Sequence, residues 1–223
     1  MDKEHQQHTV QPLSLVIVED EKIVATMLVA MLSGQPDIQV LGNAFTGTAG
    51  LALCRKFRPD IVLLDIALPD MSGLDLAQSL KDAGLSTRVV ILSAHVEPYF
   101  IYQAGRLGVH GFVDKQSSLE NLTTAIRQVA AGKRYYSAVY QTVRTAQLAK
   151  PDAFHKILTP REMAVLMLVV SGSNDEAIGR HLGISASTAT THRRNLRFKL
   201  KAHSDRDLYA YAREWGLVPL SVS

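Results

Sequence analysis

The stretch Ile61-Val62-Leu63-Leu64-Asp65-Ile66-Ala67-Leu68-Pro69-Asp70-Met71-Ser72-Gly73 decides the fold of this chain. Four branched aliphatic residues lead directly into a carboxylate, and a loop containing Pro and Gly follows. An apolar run of this length between turn formers is typical of a strand buried on both faces of a parallel sheet. Asp65 then lies at the carboxyl end of that strand, where open α/β sheets bind their ligands. On this stretch alone, Asp65 could equally be the cap of the following helix.

The segments around this stretch alternate between apolar runs and amphipathic patterns. Short apolar runs predict strands at 13–18, 38–41, 61–64, 88–92 and 111–113. Apolar residues at helical spacing predict helices at 23–32, 48–57, 74–83, 98–107 and 119–131. Five such pairs in alternation predict an α/β domain, a doubly wound parallel sheet of five strands with helices on both faces.

Polar residues stand at the carboxyl ends of four of these strands. The first strand ends in Glu19 and Asp20, the third in Asp65 and the fourth in Ser93, and Lys115 follows the fifth. Because the carboxyl ends of parallel strands lie along one edge of a sheet, we expect these side chains to lie close together.

The charges of this group predict its chemistry. Three carboxylates at short distance repel one another, and a hard divalent cation with oxygen ligands removes that repulsion. Mg²⁺ takes few protein carboxylates and leaves positions for a phosphoryl oxygen. Asp65 could then attack phosphorus as a nucleophile, while Lys115 neutralises the transferring group and Ser93 donates a hydrogen bond to it.

On these residues, the segment 13–134 resembles the receiver domain of a two-component response regulator, which has a flavodoxin-like fold. The matching residues are Glu19-Asp20, the loop that begins at Asp65, Ser93-Ala94 and Gly111-Phe112-Val113-Asp114-Lys115. The resemblance implies that a sensor histidine kinase phosphorylates Asp65 and that Mg²⁺ is the cofactor. It implies four Mg²⁺ ligands: Glu19, Asp20, Asp65 and the main-chain carbonyl of Ala67. It also implies that Ser93 and Lys115 contact the phosphoryl group and that Phe112 is the aromatic residue of the conformational switch.

Two features of the loops bear on the lifetime of the phosphoryl group. Ala67 and His95 flank the approach of a hydrolytic water, and Ala67 cannot orient that water by a hydrogen bond. We therefore expect slow self-dephosphorylation unless His95 compensates. Apart from this step and self-phosphorylation from a phosphodonor, no enzymatic activity is expected. Gln116 stands where many receivers have proline, which changes the loop geometry more than the chemistry.

Residues 155–223 carry the pattern of an all-α domain. Thr159 is a predicted cap, Pro160 suits the first helical position, and Glu162 completes a capping box. Four helices are predicted, at about 160–170, 175–182, 188–200 and 205–215, with Ser187 as the cap of the third. Two short helices, a tight turn containing glycine and a basic third helix are typical of a helix-turn-helix.

These helices resemble the LuxR-type DNA-binding domain, and the whole chain resembles the NarL/FixJ class of response regulators. The matching residues are Leu158 to Glu162, Ile178, Leu182 to Ser185, Ser187-Thr188, His192, Asn195 and Lys199-Leu200. The resemblance implies that an active homodimer binds double-stranded promoter DNA and regulates transcription. It implies base contacts from Thr190, Thr191 and Arg194, and phosphate contacts from Arg193, Arg197, Lys199 and Lys201. It places a dimerisation surface at Leu208, Tyr211 and Ala212.

The distribution of charge agrees with a DNA partner. The net charge is +3, yet residues 1–150 contain 14 basic and 14 acidic side chains, whereas residues 151–223 contain 10 and 7. The segment 193–201 contains five basic residues and no acid. Such a cluster is typical of a nucleic-acid surface, although a solvated helix face is the alternative.

The rest of the composition limits the class of protein. The single Cys54 excludes a disulfide framework and a cysteine-rich zinc site, and it fits a reducing cytoplasm. No apolar segment approaches the roughly 20 residues that span a bilayer. Residues 1–12 are polar and predict a disordered tail, and 135–154 predict a linker. The linker tyrosines Tyr135, Tyr136 and Tyr140 could pack between domains or complete the receiver core.

Two other functions compete with this interpretation. A metal-dependent phosphohydrolase of the aspartyl-phosphate type usually needs a second acid two residues after the nucleophile, where this chain has Ala67. A DNA-binding or protein-interaction module that works without phosphorylation would not need the complete set of acids. Both alternatives are weaker than the response-regulator interpretation on these residues.

Overall fold

A computed structural model describes residues 11–150 and 153–218. Most of the predicted tail, residues 1–10, lies outside the described residues. The chain divides into two compact units. The first unit extends up to His95 and includes Gln103–Tyr140, and the second contains Val96–Tyr102 and the chain from Gln141 onward.

The first unit contains a parallel sheet whose strand order is β2-β1-β3-β4-β5-β6. The strands are β1 Leu13–Val18, β2 Ile38–Ala44, β3 Ile61–Leu64, β4 Arg88–Ser93, β5 Gly111–Asp114 and β6 Tyr135–Tyr136. The order of the first five is that of a flavodoxin-like doubly wound sheet, so the predicted fold class is confirmed. All four residues of β3 are buried, as expected for a central strand covered on both faces.

The sixth strand corrects the predicted strand count of five. Tyr135 pairs with Gly111 and Tyr136 with Phe112, so both tyrosines join the sheet instead of the predicted linker. A strand of two residues is too short to show the alternation by which strands are recognised in a sequence. What identifies β6 is its pairing with β5, and a pattern of neighbouring residues in the sequence does not show that pairing.

Helices connect the strands and continue beyond the sheet. They are α1 Lys22–Ser33, α2 Gly47–Phe57, α3 Gly73–Asp82, α4 Pro98–Leu107, α5 Leu119–Ala130 and α6 Ala138–Ala149. Hydroxyl side chains cap three of them, because Thr46, Ser72 and Ser118 each accept a hydrogen bond from a main-chain N–H in the first turn. These caps fix where α2, α3 and α5 begin.

One face of the sheet packs against α1 and α5 in a continuous apolar core. Its helical contributors include Leu28 and Leu32 from α1 and Ile126 and Val129 from α5. The apolar stripe of α1 is wider than the buried face, because Ile23 is 78% exposed. Met27 and Met31 of the same stripe are also exposed.

The second unit contains the predicted helical domain. Its helices are α7 Phe154–Ile157, α8 Pro160–Val170, α9 Asp175–Leu182, α10 Ala186–Leu200 and α11 Asp205–Glu214. The four predicted helices correspond to α8–α11, and α7 is a short addition. The capping box is confirmed, since Thr159 accepts from the Glu162 N–H and the Glu162 carboxylate accepts from the Thr159 N–H. Ser185 caps α10, so the prediction of Ser187 as its cap is wrong by one half-turn.

A close turn joins α9 to α10. Gly183 ends α9 in the left-handed conformation at φ 64°, where glycine avoids the steric penalty of a side chain. A Cβ atom on Gly179 would lie 2.7 Å from the Ile184 main-chain oxygen. The approach of α9 to the following turn therefore leaves no room for a side chain at 179.

Among residues 11–150 and 153–218, no helix combines the length and the apolar character required to cross a membrane.

We predict that Gly179→Ala destabilises the second unit by about 1–3 kcal/mol, because the added methyl group overlaps backbone that cannot move independently. Alanine normally stabilises a helix interior relative to glycine, so the sign of the effect is diagnostic. The only tryptophan, Trp215, is 2% exposed in the core of this unit, and urea unfolding followed by its fluorescence measures the change. Arg180→Ala, at an exposed position of the same helix, is the control and should unfold like wild type.

A second prediction concerns the stability of the sheet at low pH. The Val89 N–H donates to Nδ1 of the half-buried His110 at 3.1 Å, which requires the neutral ring. Burial lowers the pKa of His110, and the charges of Arg134 and Arg88 lower it further. Since the unfolded pKa is about 6.5, this contribution to stability is complete above that pH and is lost as the pH falls through the folded pKa.

The measurement is urea unfolding of the first unit by circular dichroism at about pH 7.5 and pH 5.5, on either side of the unfolded pKa. His110→Asn is the matched variant, because its amide oxygen accepts a hydrogen bond without titrating. Wild type should lose more stability than His110→Asn between the two pH values. Equal losses would exclude His110 as the source.

Candidate functional site

The sheet brings the ends of its central strands to one edge. Val18 is in register with Leu64 across β1 and β3, and the Asp65 N–H donates to the Val18 carbonyl at 2.9 Å. On the other side, the Lys115 N–H donates to the Ser93 carbonyl at 3.0 Å. The backbone itself therefore holds the predicted polar residues side by side.

Three carboxylates form a cluster at this edge. Glu19, Asp20 and Asp65 each offer one carboxylate oxygen, and these oxygens lie within 4.8 Å of one another. Glu19 is 1% exposed and Asp65 is 4% exposed, whereas Asp20 lies nearer the surface. Oxygen donors at this spacing suit a hard divalent cation such as Mg²⁺, which would also reduce the repulsion between the acids.

The Lys115 ammonium lies between the two buried acids. Its Nζ is 2.9 Å from Glu19 Oε1 and 2.8 Å from Asp65 Oδ2, and the exposed Glu21 is 3.5 Å away. Burial works against the charge of Lys115, but the hydrogen bonds to Asp65 and Glu19 outweigh it and raise the pKa of the ammonium group. Lys115 therefore stays charged at neutral pH.

One ammonium group does not fully compensate the acids. Burial raises the pKa of Glu19 to about 7; the charge of Asp65 acts in the same direction, and Lys115 opposes both. A buried carboxyl group of this kind is stabilised in its charged form by a cation bound beside it. The site therefore favours the binding of a further cation.

The loop after β3 fixes the position of Asp65. Its Oδ1 accepts from the Ile66 N–H, and Ala67 forms a bridge with Ser72 that closes the loop. A Cβ atom on Gly73 would overlap the main-chain carbonyl of Asp65, so only glycine fits at the start of α3. The Ala67 carbonyl, the fourth ligand implied by the resemblance, stays a prediction.

Asp70 has a structural role that the sequence analysis missed. Its carboxylate accepts from the N–H groups of Gly47 and Thr48, at 2.7 and 2.9 Å, and so caps α2 from the loop after β3. The hydrogen bonds lower the pKa of Asp70 and outweigh its burial. An acid between Pro69 and Met71 in a loop is a weak signal for this role, because its partners are more than 20 residues away in the sequence.

Ser93 and Phe112 are both fully buried. The Ser93 hydroxyl accepts from the His95 N–H at 3.1 Å. The Phe112 ring lies 5.1 Å from the ring of Tyr140, which stacks on Tyr136 at 4.5 Å. Of the two interpretations of the linker tyrosines, completion of the receiver core therefore holds for Tyr140.

The basic residues of α10 and Lys201, which follows its last residue, fall into two groups. The first group, Arg193, Arg197 and Lys199, forms ion pairs with acids of the second unit. Arg194 and Lys201 are exposed, and among residues 11–150 and 153–218 they form no ion pair. Thr190 and Thr191 are exposed on the N-terminal half of the same helix.

Arg193 links three elements of the helical domain. Its guanidinium lies 3.0 Å from Asp175 on α9 and 3.0 Å from Asp205 on α11, and it donates to the Ser173 carbonyl at 2.9 Å. Arg197 adds a contact of 2.7 Å to Asp205. A phosphate contact from Arg193 would have to compete with these ion pairs and with the hydrogen bonds to Asp205 and Ser173, which indicates that Arg193 positions α10.

Lys199 similarly joins the end of α10 to the start of α8. Its Nζ lies 2.8 Å from the Glu162 carboxylate, which is also part of the capping box. Although burial acts in the opposite direction, the hydrogen bonds of Lys199 and Thr159 lower the pKa of Glu162. The predicted phosphate contacts of Arg193, Arg197 and Lys199 stay predictions, made less favourable by these pairs.

The position of α11 makes the predicted dimerisation surface less favourable. Leu208 and Ala212 are 0% exposed in the core of the second unit, and Tyr211 is half-buried. Leu208 and Ala212 are already packed in the core of the domain, so the dimerisation surface through these residues stays a prediction. The face of α11 that is open to solvent carries Arg206, Tyr209, Ala210, Arg213 and Glu214.

Two protein families match the chain. Residues 15–127 match the response regulator receiver domain, and residues 156–212 match the bacterial regulatory proteins of the luxR family. The matched ranges contain every residue of the acid cluster and all of α10. They leave the region around β6 and α6 between them.

Relatives and solved structures agree with these families. The chain is 32% identical over 207 residues to the transcriptional regulatory protein MctR of Rhizobium johnstonii, covering 92% of this chain and 95% of MctR. It is 31% identical over 198 residues to the nitrate/nitrite response regulator NarL of Escherichia coli, covering 87% and 92%. RcsB from Salmonella enterica serovar Typhimurium, solved on a promoter, has the same fold with a TM-score of 0.65 at 21% identity, covering 92% and 99%. With its acid cluster at the sheet edge and its helix-turn-helix, the chain belongs to the response regulators of the NarL/FixJ class.

Proposed function

We propose that a sensor histidine kinase phosphorylates this response regulator on Asp65, and that the phosphorylated protein binds promoter DNA as a homodimer. The observation that carries the proposal is the Lys115 ammonium held between Glu19 and Asp65. Such a cation is positioned to neutralise charge that develops on a phosphoryl group at Asp65. The receiver domain would comprise residues 13–134, extended by β6 and by the start of α6 as far as Tyr140, and the DNA-binding domain residues 155–223, so the linker would be shorter than the predicted 135–154.

The chemistry follows from the carboxylate of Asp65. A carboxylate oxygen attacks phosphorus, the bond to the donor breaks, and an aspartyl phosphate remains. Mg²⁺, when bound, would neutralise phosphoryl oxygens; its ligands would be Glu19, Asp20, Asp65 and the Ala67 carbonyl. Lys115 and Ser93 would hold the phosphoryl group by an ion pair and a hydrogen bond. Because Ala67 cannot orient water, the aspartyl phosphate should hydrolyse slowly.

Phosphorylation would change the balance of charge at the sheet edge. The phosphoryl group adds about −1.5 to −2 charges, and Lys115 would follow that charge away from Glu19. Movement of Ser93 and Phe112 would then favour the active member of two pre-existing states. We place the switch at these residues because both are buried and each can move only with its neighbours.

Helix α10 is the proposed DNA-reading element. Its exposed Thr190, Thr191 and Arg194 would face base edges, and its exposed Lys201 would contact phosphate. The dimer contact would use the solvent-facing side of α11 around Tyr209 and Arg213, since its apolar side is buried. A DNA target and a single reduced Cys54 both agree with a cytoplasmic protein.

The first test is phosphorylation by a small phosphodonor with Mg²⁺. The wild-type chain should gain one phosphoryl group by mass spectrometry, and Asp65→Asn should gain none, because an amide oxygen is a poor nucleophile. Asp75→Asn, an exposed acid in the first turn of α3, is the matched control and should be labelled like wild type. Labelling of Asp65→Asn would contradict the assignment, and continuous release of inorganic phosphate would favour the phosphohydrolase alternative.

The second test concerns sequence reading by Arg194. We expect Arg194→Ala to weaken binding to the selected DNA by about 1–3 kcal/mol and to relax specificity, because an arginine can bond two acceptors of one guanine. Fluorescence anisotropy on selected and on random duplexes measures both effects. Arg180→Ala, which removes an exposed charge from α9, is the control. It should cause only a small loss of affinity, equal on the selected and the random duplex. Equal losses for Arg194→Ala on the two duplexes would show that it contacts phosphate only.

A further inference from the structure

Two exposed threonines of α10 direct their hydroxyl groups to their own chain. Thr190 Oγ1 donates to Asp175 Oδ2 at 2.6 Å. It also lies 3.0 Å from the Ala186 carbonyl oxygen, a second possible acceptor. Thr191 Oγ1 donates to the Ser187 carbonyl at 3.0 Å. Each hydroxyl has a single hydrogen, and in both residues that hydrogen is already used.

The acceptor of Thr190 forms an ion pair on its other side. Asp175 begins α9, and its second oxygen lies 3.0 Å from Nε of Arg193, which is also bound to Asp205. The side chain of Asp175 is only 24% exposed. Because Arg193 offsets its charge, this carboxylate orients Thr190 without presenting an unpaired negative charge to DNA phosphates.

From these contacts we infer that Thr190 and Thr191 read thymine through their methyl groups, and that Asp175 is a positioning residue for this contact. The inference rests on the proposed binding of DNA through α10. A threonine whose hydrogen is used cannot donate to guanine N7 or O6 or to thymine O4 in the major groove. Its hydroxyl oxygen can still accept from adenine N6 or cytosine N4, but only its methyl group can contact an apolar group of a base. The thymine 5-methyl is the apolar group that the major groove offers to such a side chain.

If the threonines read thymine in this way, the affinity for DNA should depend on the 5-methyl carbon of individual thymines. Deoxyuridine pairs like thymidine and lacks only the 5-methyl group, so replacing one by the other leaves every hydrogen bond unchanged. Removing one buried methyl contact should weaken binding about fourfold at a position that is read in this way. At thymidines outside the recognition site the replacement should have no effect.

The experiment uses the full chain, treated with a small phosphodonor and Mg²⁺, and a duplex that it selects from a random-sequence pool. The duplex is remade with deoxyuridine at each thymidine in turn, and the affinity ratio of thymidine to deoxyuridine duplexes is measured. At the position read by residue 190, Thr190→Val should keep the ratio near four, because valine keeps the methyl group. Thr190→Ser, which keeps only the hydroxyl, should bring the ratio to about one.

Variants of Asp175 test the positioning role. Asp175→Ala removes one of the two acceptors of Thr190 and should reduce the thymidine-to-deoxyuridine ratio, while affinity for a random duplex should not fall, because the change also frees Arg193 from an ion pair. Asp175→Asn keeps an oxygen acceptor and should restore the ratio. A general loss of structure would instead lower both affinities and shift the fluorescence of Trp215 in the core of the domain.

The possible results separate this inference from the proposed function. A ratio of one at every thymidine, or a selected site without thymidine, would overturn methyl reading while leaving DNA binding intact. A full ratio in Asp175→Ala would overturn the role of Asp175 alone. If no duplex is enriched from the pool, the proposed DNA binding and the methyl reading are both wrong.

Discussion

The structure of the first unit depends on how two buried carboxylates and one ammonium group are brought together. Glu19 and Asp65 are almost inaccessible to water, and isolated charges in such positions would be strongly destabilising. Lys115 compensates them from the end of β5, which lies two strands from β3 and three strands from β1 in the sheet. The parallel arrangement is essential to this, because it places the ends of β1, β3 and β5 at the same edge. The arrangement of the strands therefore determines the geometry of the charged site.

The helical domain uses ion pairs for a different purpose. Asp175, Arg193 and Asp205 connect α9, α10 and α11, and Glu162 with Lys199 connects α8 to the end of α10. A helix that is bound to two neighbours at its middle and to a third at its end presents its outer face at a fixed angle. The high charge of α10 thus serves orientation as much as attraction, and the number of its basic residues overstates the number available to a polyanion.

The sequence predicts those features that depend on neighbours along the chain. The apolar run before Asp65 identifies the central strand, and Thr159 with Glu162 identifies a helix start from residues three apart. It fails where the deciding partner is distant: β6 exists only through its pairing with β5, and the bonds of Arg193 depend on the packing of three helices. For α11, the pattern of Leu208 and Ala212 identifies an apolar face correctly. Periodicity alone cannot say whether such a face covers a domain core or a second subunit.

The contact between Gly73 and the backbone of Asp65 has a consequence for interpreting genetic variation in this protein. Any side chain at 73 would displace the loop that carries Asp65, the proposed nucleophile, while every acidic group remained in the chain. A loss-of-signalling allele at this glycine would therefore resemble an allele of the proposed phosphoacceptor in its phenotype. Conversely, tolerance of alanine at 73 would reveal a loop far more plastic than its hydrogen bonds suggest.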